Sequence, residues 1–374
     1  MKKKVGLIPL LYDEYNYGGI LQFYALQRTI KNLGYDFEIV KVPDGGLVCS
    51  PMRNQTWKSI ILRCIKPLLD ISEKKNQRII KRNIEKRIDK INIFKNKYYG
   101  EYVNKTGNND CMQYDAIICG SDQIWNPKWA KKRTMLTFVP DEVNKVIYAA
   151  SIGCEEMSDD EKEAFKPLIE RIQHISVREF SAKKLLNSFI VDKDIQVVLD
   201  PTLLLSPDEW KQLEVTPKTR GYILTYFLGE YGQYHLFIKQ LADTYQLHII
   251  NILFASGERV DNEAFGDRQI VDASPEEFIG LISNAEAVFT DSFHACVFST
   301  LFHRRFYVFE RKSSSNMVGR IMTLQEHFNL GNRIITLNSK VDLTESIDFS
   351  HNDEYQRRLA EASLTYLRES IENE

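Results

Sequence analysis

Residues 285–302, "AEAVFTDSFHACVFSTLF", place an acid, a hydroxyl and a histidine at the seam between two apolar runs. "EAVFTDS" reads as a short strand, "FHACVFSTLFH" as a buried helix, and "RFYVFER" after it as the next strand. That succession implies parallel pairing within an α/β layer. Ligands of such sheets bind beyond the carboxyl ends of the strands. Helix N-termini face that crevice with free N–H groups and the positive end of the dipole. The polar cluster falls at that place. Ser292 is a natural N-cap whose hydroxyl can also donate, and His294 points into the same crevice as donor, acid or base. Asp291 would repel an anion, so it turns away, binds a sugar hydroxyl or orients His294. A purely structural account stays open, with Ser292 only a cap and His294 a hydrogen-bonded core residue.

The pattern extends in both directions. Upstream lie "YILTYFLG" and "HIINILFA" as strands, "QYHLFIKQLADTY" as a helix, and "SPEEFIGLISNA" as a helix opened by a Ser-x-x-Glu capping box. An earlier series begins with "KVGLIPLL" and the helix "ILQFYALQRTIKNLG", whose apolar stripe is Ile20, Phe23, Leu26, Ile30 and Leu33 and whose stop is Gly34. It continues through "DFEIVKV", "DAIICGS", "KVIYAASIG", "HISVRE" and "IQVVLD". The proline-bearing connector "DPTLLLSPDEWKQLEVTPKTRG" separates the two series. The expectation is an α/β fold of two Rossmann-like domains facing a cleft, over residues 1–210 and 211–345. A C-terminal helix over 346–374, with the stripe Tyr355, Leu359, Ala362 and Tyr366, packs back on the body.

One segment, about 55–105, interrupts the first series as a helical insertion. Trp57, Ile60, Ile61, Cys64 and Leu68 share one helix face; Ile80, Ile84, Ile88 and Ile91 share another, with Lys and Arg elsewhere. A basic amphipathic helix can lie on a membrane or hold an anionic lipid-linked substrate, so 55–99 is a candidate for peripheral membrane contact. A solvated basic face above a core stripe fits the same pattern.

The 374 residues carry 49 basic and 51 acidic side chains, a net charge of −2. No global field draws the chain to nucleic acid, and attraction for an anion must come from a local site. The six cysteines include no CxxC pair, which argues against a disulfide framework or thiolate zinc site. No His-x-x-x-His or acid cluster has metal-site spacing, so neither a metal nor another cofactor is expected. Val5–Leu11 reads as a first strand, not a leader, and no run approaches the ~20 apolar residues of a span. A cytoplasmic protein, at most peripheral to the inner face of the membrane, is the expectation.

Seven segments together carry a family likeness: "NYGGILQFYALQRTIKNLGY", "YDAIICGSDQIWNP", "YAASIG", "ISVRE", "VLDPTLLL", "FTDSFHACVFSTLF" and "SSNMVGRIMTLQEHFNLGNR". Through them the chain resembles the polysaccharide pyruvyl transferase family over most of its length. The resemblance implies a fold like the GT-B glycosyltransferases. It also implies transfer of pyruvate from phosphoenolpyruvate to sugar hydroxyls as a ketal, in cell-surface polysaccharide biosynthesis, on a sugar or lipid-linked oligosaccharide. Carried over by position, Arg178 in "SVRE" stands where the family has an arginine facing the donor, and His294 matches the histidine of the Arg-x-His signature. Ser292 stands where that arginine usually stands. A charge-assisted hydrogen bond to phosphate contributes ~1.5–3 kcal/mol, so its loss weakens donor binding about 10- to 100-fold unless replaced. Replacements are sought among Arg311, Lys312 and Arg320, with Ser313, Ser314 and Asn316 as neutral donors.

The first unit is assigned the acceptor. Ser121, Asp122 and Gln123 follow the strand "DAIIC"; Trp125 can stack on a sugar or sit buried in a tight turn, and Asn126 can reach hydroxyls. In "YDEYNYGG", Gly18 and Gly19 permit close approach of a ligand, while Asp13 and Asn16 can reach hydroxyls. His294 is the candidate acid–base residue, with Asp122 or Asp13 as base. Two rivals keep the fold: a nucleotide-sugar glycosyltransferase, for which Glu310 could grip a ribose, and a non-catalytic glycan-binding protein.

Overall fold

Short β-branched runs in the first half pair into one parallel sheet because both of its faces are covered by helices. Its strands are β1 (Lys4–Ile8), β2 (Asp36–Ile39), β3 (Ala116–Asp122), β4 (Asn144–Ala150), β5 (His174–Val177) and β6 (Ile195–Val197), in the order β2-β1-β3-β4-β5-β6. The computed structural model describes residues 2–10, 15–43, 45–49, 71–104, 110–256, 259–260, 265–310, 318–345 and 347–373. β4 is buried at every residue, as a central strand covered on both faces must be.

The second half repeats the arrangement. β7 (Tyr222–Tyr226), β8 (His248–Ile252), β11 (Arg268–Ile270), β12 (Ala287–Thr290), β13 (Arg305–Phe309) and β14 (Ile334–Ile335) form a parallel sheet in the order β11-β8-β7-β12-β13-β14. A small antiparallel hairpin, β9 (Ala255–Ser256) with β10 (Arg259–Val260), stands apart. The fold is thus α/β with two Rossmann-like units, a GT-B-like arrangement. Strand order reverses between β1 and β3 in one sheet and between β7 and β12 in the other. Each reversal opens a crevice at the carboxyl ends of the strands.

Helix α1 (Tyr17–Asn32) is buried around most of its circumference because it lies between the units. Tyr17 donates its hydroxyl to the Ala273 carbonyl at 2.7 Å and stacks on Phe278, with ring centroids 4.4 Å apart. The inserted α2 (Ile71–Tyr98) buries Arg87, Ile91 and Phe94 and half-buries Ile84 and Ile88. Over this described stretch the apolar stripe is core packing, not a free membrane face. The helix face expected from Trp57, Ile60, Ile61, Cys64 and Leu68 lies outside the described residues, as does the Ile80 side chain.

Four further helices, α3 (Asp159–Ile169), α4 (Phe180–Asn187), α5 (Pro207–Lys211) and α6 (His235–Tyr245), precede the site-bearing ones, α7 (Pro275–Ser283), α8 (Phe293–Leu301) and α9 (Val318–Phe328). The terminal α10 (Ser350–Glu372) crosses back to the first unit, as expected. Its Ser363 hydroxyl accepts from Leu199 N at 3.0 Å, and Asn144 donates to the Ser370 carbonyl at 2.7 Å.

Gly280 of α7 presses on the connector between the units. A Cβ there would lie 2.0 Å from the Val215 carbonyl oxygen, a backbone atom that cannot swing aside. Gly280→Ala should therefore destabilise the protein by about 1–3 kcal/mol, despite the better helix propensity of alanine. Urea denaturation would show it; an unchanged midpoint would mean the connector yields freely.

Candidate active site

The carboxyl ends of three strands of the first sheet converge on one guanidinium. Arg178, just past β5, donates from Nη2 to Asp122 at the end of β3 (3.0 Å), from Nη1 to Asp200 beyond β6 (2.5 Å) and from Nε to Glu179 (3.1 Å). It is buried, and its plane lies 4.5 Å over the ring of Phe293, the first residue of α8 in the other unit. Arg178 thus meets three carboxylates and carries no spare positive charge toward a donor. It is a hub that joins the two units.

Of the three acids on Arg178, Asp200 is the most heavily bonded. Beside Arg178, it accepts from Ser121 Oγ (3.2 Å), Thr202 N (3.0 Å) and Thr202 Oγ1 (2.7 Å). Burial alone would raise its pKa, but His294, Arg178 and Thr202 together hold it far below the usual carboxylate range. Asp122 is likewise lowered, its burial outweighed by Arg178, His294 and Arg320. Glu179 goes the other way: burial raises it and its arginine neighbours offset this only in part. Asp122 also holds a left-handed backbone, φ 70°, a conformation that costs about 1–3 kcal/mol and clusters at functional sites.

His294 comes from the second sheet. Ser292 caps α8, its Oγ accepting from Ala295 N, as the seam implied. Asp291 turns away, accepting from Leu228 N (2.6 Å) and Gly229 N (2.8 Å) and so fastening the loop after β7. The imidazole is 6% exposed, with Nε2 3.6 Å from Asp200 Oδ2 and no hydrogen-bond partner among the described residues. Its other edge meets the start of α1: a Cβ on Gly18 would lie 2.1 Å from Nδ1. Gly18 therefore makes room for the histidine, where a ligand had been expected to approach it. Asn16 caps α1, accepting from Gly18 N at 2.9 Å.

Arg320 reaches across from α9. With the Gln123 carboxamide oxygen turned toward it, Nη1 and Nη2 donate at 2.9 and 3.2 Å. Of the candidate replacements for the absent arginine, this one stands at the site. Arg311, Lys312, Ser313, Ser314 and Asn316, and also Asp13, lie outside the described residues.

A sequence model of the polysaccharide pyruvyl transferase family matches residues 16–313. The chain belongs to that family. Its matched span holds Asp122, Arg178, Asp200 and His294, whereas β1, Asp13, Ser314, Asn316 and Arg320 fall outside it. No curated protein matches the sequence. Among solved structures, UDP-N-acetylglucosamine 2-epimerase from Rickettsia bellii is similar at 12% identity and TM-score 0.48, covering 100% of this chain and 98% of that one. The Neisseria meningitidis UDP-GlcNAc 2-epimerase, bound to UDP-GlcNAc, gives 12%, 0.46, 100% and 100%. The glycosyltransferase SnogD from Streptomyces nogalater gives 9%, 0.40, 98% and 96%.

Within this family member the expected acceptor residues divide. Trp125 is fully buried, its indole N–H donating to the Thr134 carbonyl at 3.3 Å, so it offers no face to a sugar. Ser121 is fully buried too, its hydroxyl donating to the Ala149 carbonyl at 2.6 Å, so it supports Asp200 instead of meeting ligand. Asn126 is buried and accepts from Lys128 N at 3.1 Å. Asp122 and Gln123 remain partly exposed. Asp200 and Glu179 were missed, although Asp200 in "VLDP" follows a strand as Asp122 does, and the same rule would have found it. Among the described residues no cluster of His, Cys, Asp and Glu is disposed to hold a metal, and no helix is long and apolar enough to cross a membrane.

Proposed function

We propose that the protein transfers the pyruvyl group of phosphoenolpyruvate onto two hydroxyls of a sugar, free or lipid-linked, to form a ketal. The observation that carries this reading is the His294 imidazole of one unit held 3.6 Å from the ionised, buried Asp200 of the other. Held beside that carboxylate, the histidine can act as general acid. Its proton forms the new C–H bond at the methylene carbon as the enol double bond is used up. The adjacent carbon becomes cationic and takes a sugar oxygen, whose proton passes to a base. The bond from that carbon to the phosphate oxygen breaks and phosphate leaves. The second hydroxyl then adds and loses its proton. One phosphoenolpyruvate and one diol give one ketal and one inorganic phosphate.

Asp122, ionised and partly open, accepts a hydrogen bond from the sugar hydroxyl; its lowered pKa suits orientation better than proton removal. The donor lies against the second unit, 211–345, at the start of α8 with Arg320, and the acceptor against 1–210. Phosphoenolpyruvate as donor implies a cytoplasmic site of action. Contact with a membrane would run through the basic face of α2, since its described apolar stripe is buried.

A thermal-shift series tests the donor. Phosphoenolpyruvate at 100 times its dissociation constant should stabilise the fold by ~2.7 kcal/mol and raise the melting temperature by several degrees. Response to uridine or guanosine diphosphates alone would replace this reading with nucleotide-sugar transfer. Phosphate release on adding a glycan acceptor then checks turnover.

A further inference from the structure

Arg87 presents the converse of Arg178. It is 1% exposed, and no carboxylate among the described residues lies within ion-pair distance. The nearby acids Glu277 and Asp272 are held by Lys90, at 2.8 and 3.9 Å. Arg87 donates from Nη1 to the Leu253 carbonyl (3.2 Å) and from Nη2 to the Tyr15 carbonyl (3.3 Å), and its plane stacks 4.2 Å over the Tyr17 ring. A guanidinium carries five N–H donors; two are engaged, which leaves three, and Nε is buried without a partner. Burying a charge without a counter-charge is costly, and one that persists points to a missing anion.

Its place in the fold says which anion. Tyr15 and Tyr17 flank Asn16, the cap of α1, two residues before Gly18, which packs on His294. Leu253 follows β8, and Tyr226, at the end of β7, lies close enough for Arg87 to draw its phenol's pKa down against burial. The buried Tyr226 hydroxyl has the Arg87 guanidinium beside it but makes no direct hydrogen bond of good geometry among the described residues. Arg87 thus stands between the units, beside both points where strand order reverses, with Nε and Nη free for a side-on fork.

We propose that Arg87 binds an oxyanion of the donor, carboxylate or phosphate, and so supplies the cation that Ser292 does not. The inserted helix α2 is then part of the donor site, reached as the units part. This rests on the proposed reaction for the identity of the donor, but not for the existence of the anion site.

Calorimetric titration with inorganic phosphate and with pyruvate separates the two. The unaltered protein should bind at least one of them. Arg87→Gln should weaken that binding about 10- to 100-fold. Arg87→Lys, which keeps the charge but lacks the planar fork, should weaken it about tenfold with a near-normal melting temperature. In turnover assays the KM for phosphoenolpyruvate should rise while the acceptor KM holds, a split that a packing role alone does not give. The proposal falls if the unaltered protein binds neither anion, or if both variants bind as tightly as it does. Phosphate binding that depends on Arg87 without any turnover of phosphoenolpyruvate would sink the reaction and leave the anion site standing.

Discussion

His294→Ala should lower phosphate release by about two to four orders of magnitude while leaving the protein folded. The histidine neutralises no acid that lacks another partner, since Asp200 keeps Arg178, Ser121 and Thr202. Its loss removes one ring between α1 and α8 and leaves the ion network intact. Gly18→Ala attacks the same residue from the other side. A methyl group 2.1 Å from Nδ1 must displace the imidazole or α1, so Gly18→Ala should lose activity on a similar scale. The double variant tests the geometry. Alanine at 294 vacates the space that alanine at 18 needs, so stability lost in Gly18→Ala should return, while activity does not. Near-normal turnover in His294→Ala would end the acid–base role and favour a glycan-binding protein.

The seam at 285–302 was legible because two periodicities meet there: an apolar strand ends, an apolar helix begins, and only the junction is polar. That junction fixed the placement of Ser292, and Asp291 took one of the orientations open to it. Arg178 and Asp122 were visible as polar residues closing apolar strands. What they touch was not. Asp122, Arg178, Asp200 and His294 are separated by 22 to 172 positions and meet only because two sheets present their carboxyl ends to each other. Trp125 could be read as stacking platform or core, and packing against the Thr134 segment made it core. The short strands β11 and β14, three and two residues long, carry too few residues to show a period of two. Arg87 looked like one more charge on a basic helix; only its burial distinguishes it from the exposed Arg82 five positions earlier in the same helix.

Asp200→Asn and Asp200→Ala should be the most destabilising of the changes considered, and their effect should depend on pH in a defined sense. Removing one partner of a buried ion pair leaves the other uncompensated, at a cost of about 3–5 kcal/mol. Here Arg178 keeps Asp122 and Glu179, which places the expected loss toward the lower figure. The folded state holds the Asp200 pKa far below its unfolded value, so folding favours the ionised form. That contribution is complete above the unfolded pKa of about 3.9 and is lost as pH falls toward the folded value. Asp122 adds to the same trend, whereas Glu179, whose pKa is raised, gives stability that grows as pH falls and offsets part of it. Denaturation curves at neutral pH should therefore separate Asp200→Asn widely from the unaltered protein. Near pH ~3 the gap should narrow, because the unfolded chain then takes up a proton at Asp200 that the folded protein still refuses, which favours unfolding of the unaltered protein. A gap that stays constant across that range would show that Asp200 acts through packing and capping of the Thr202 turn, and that its charge does not hold the two units' machinery together.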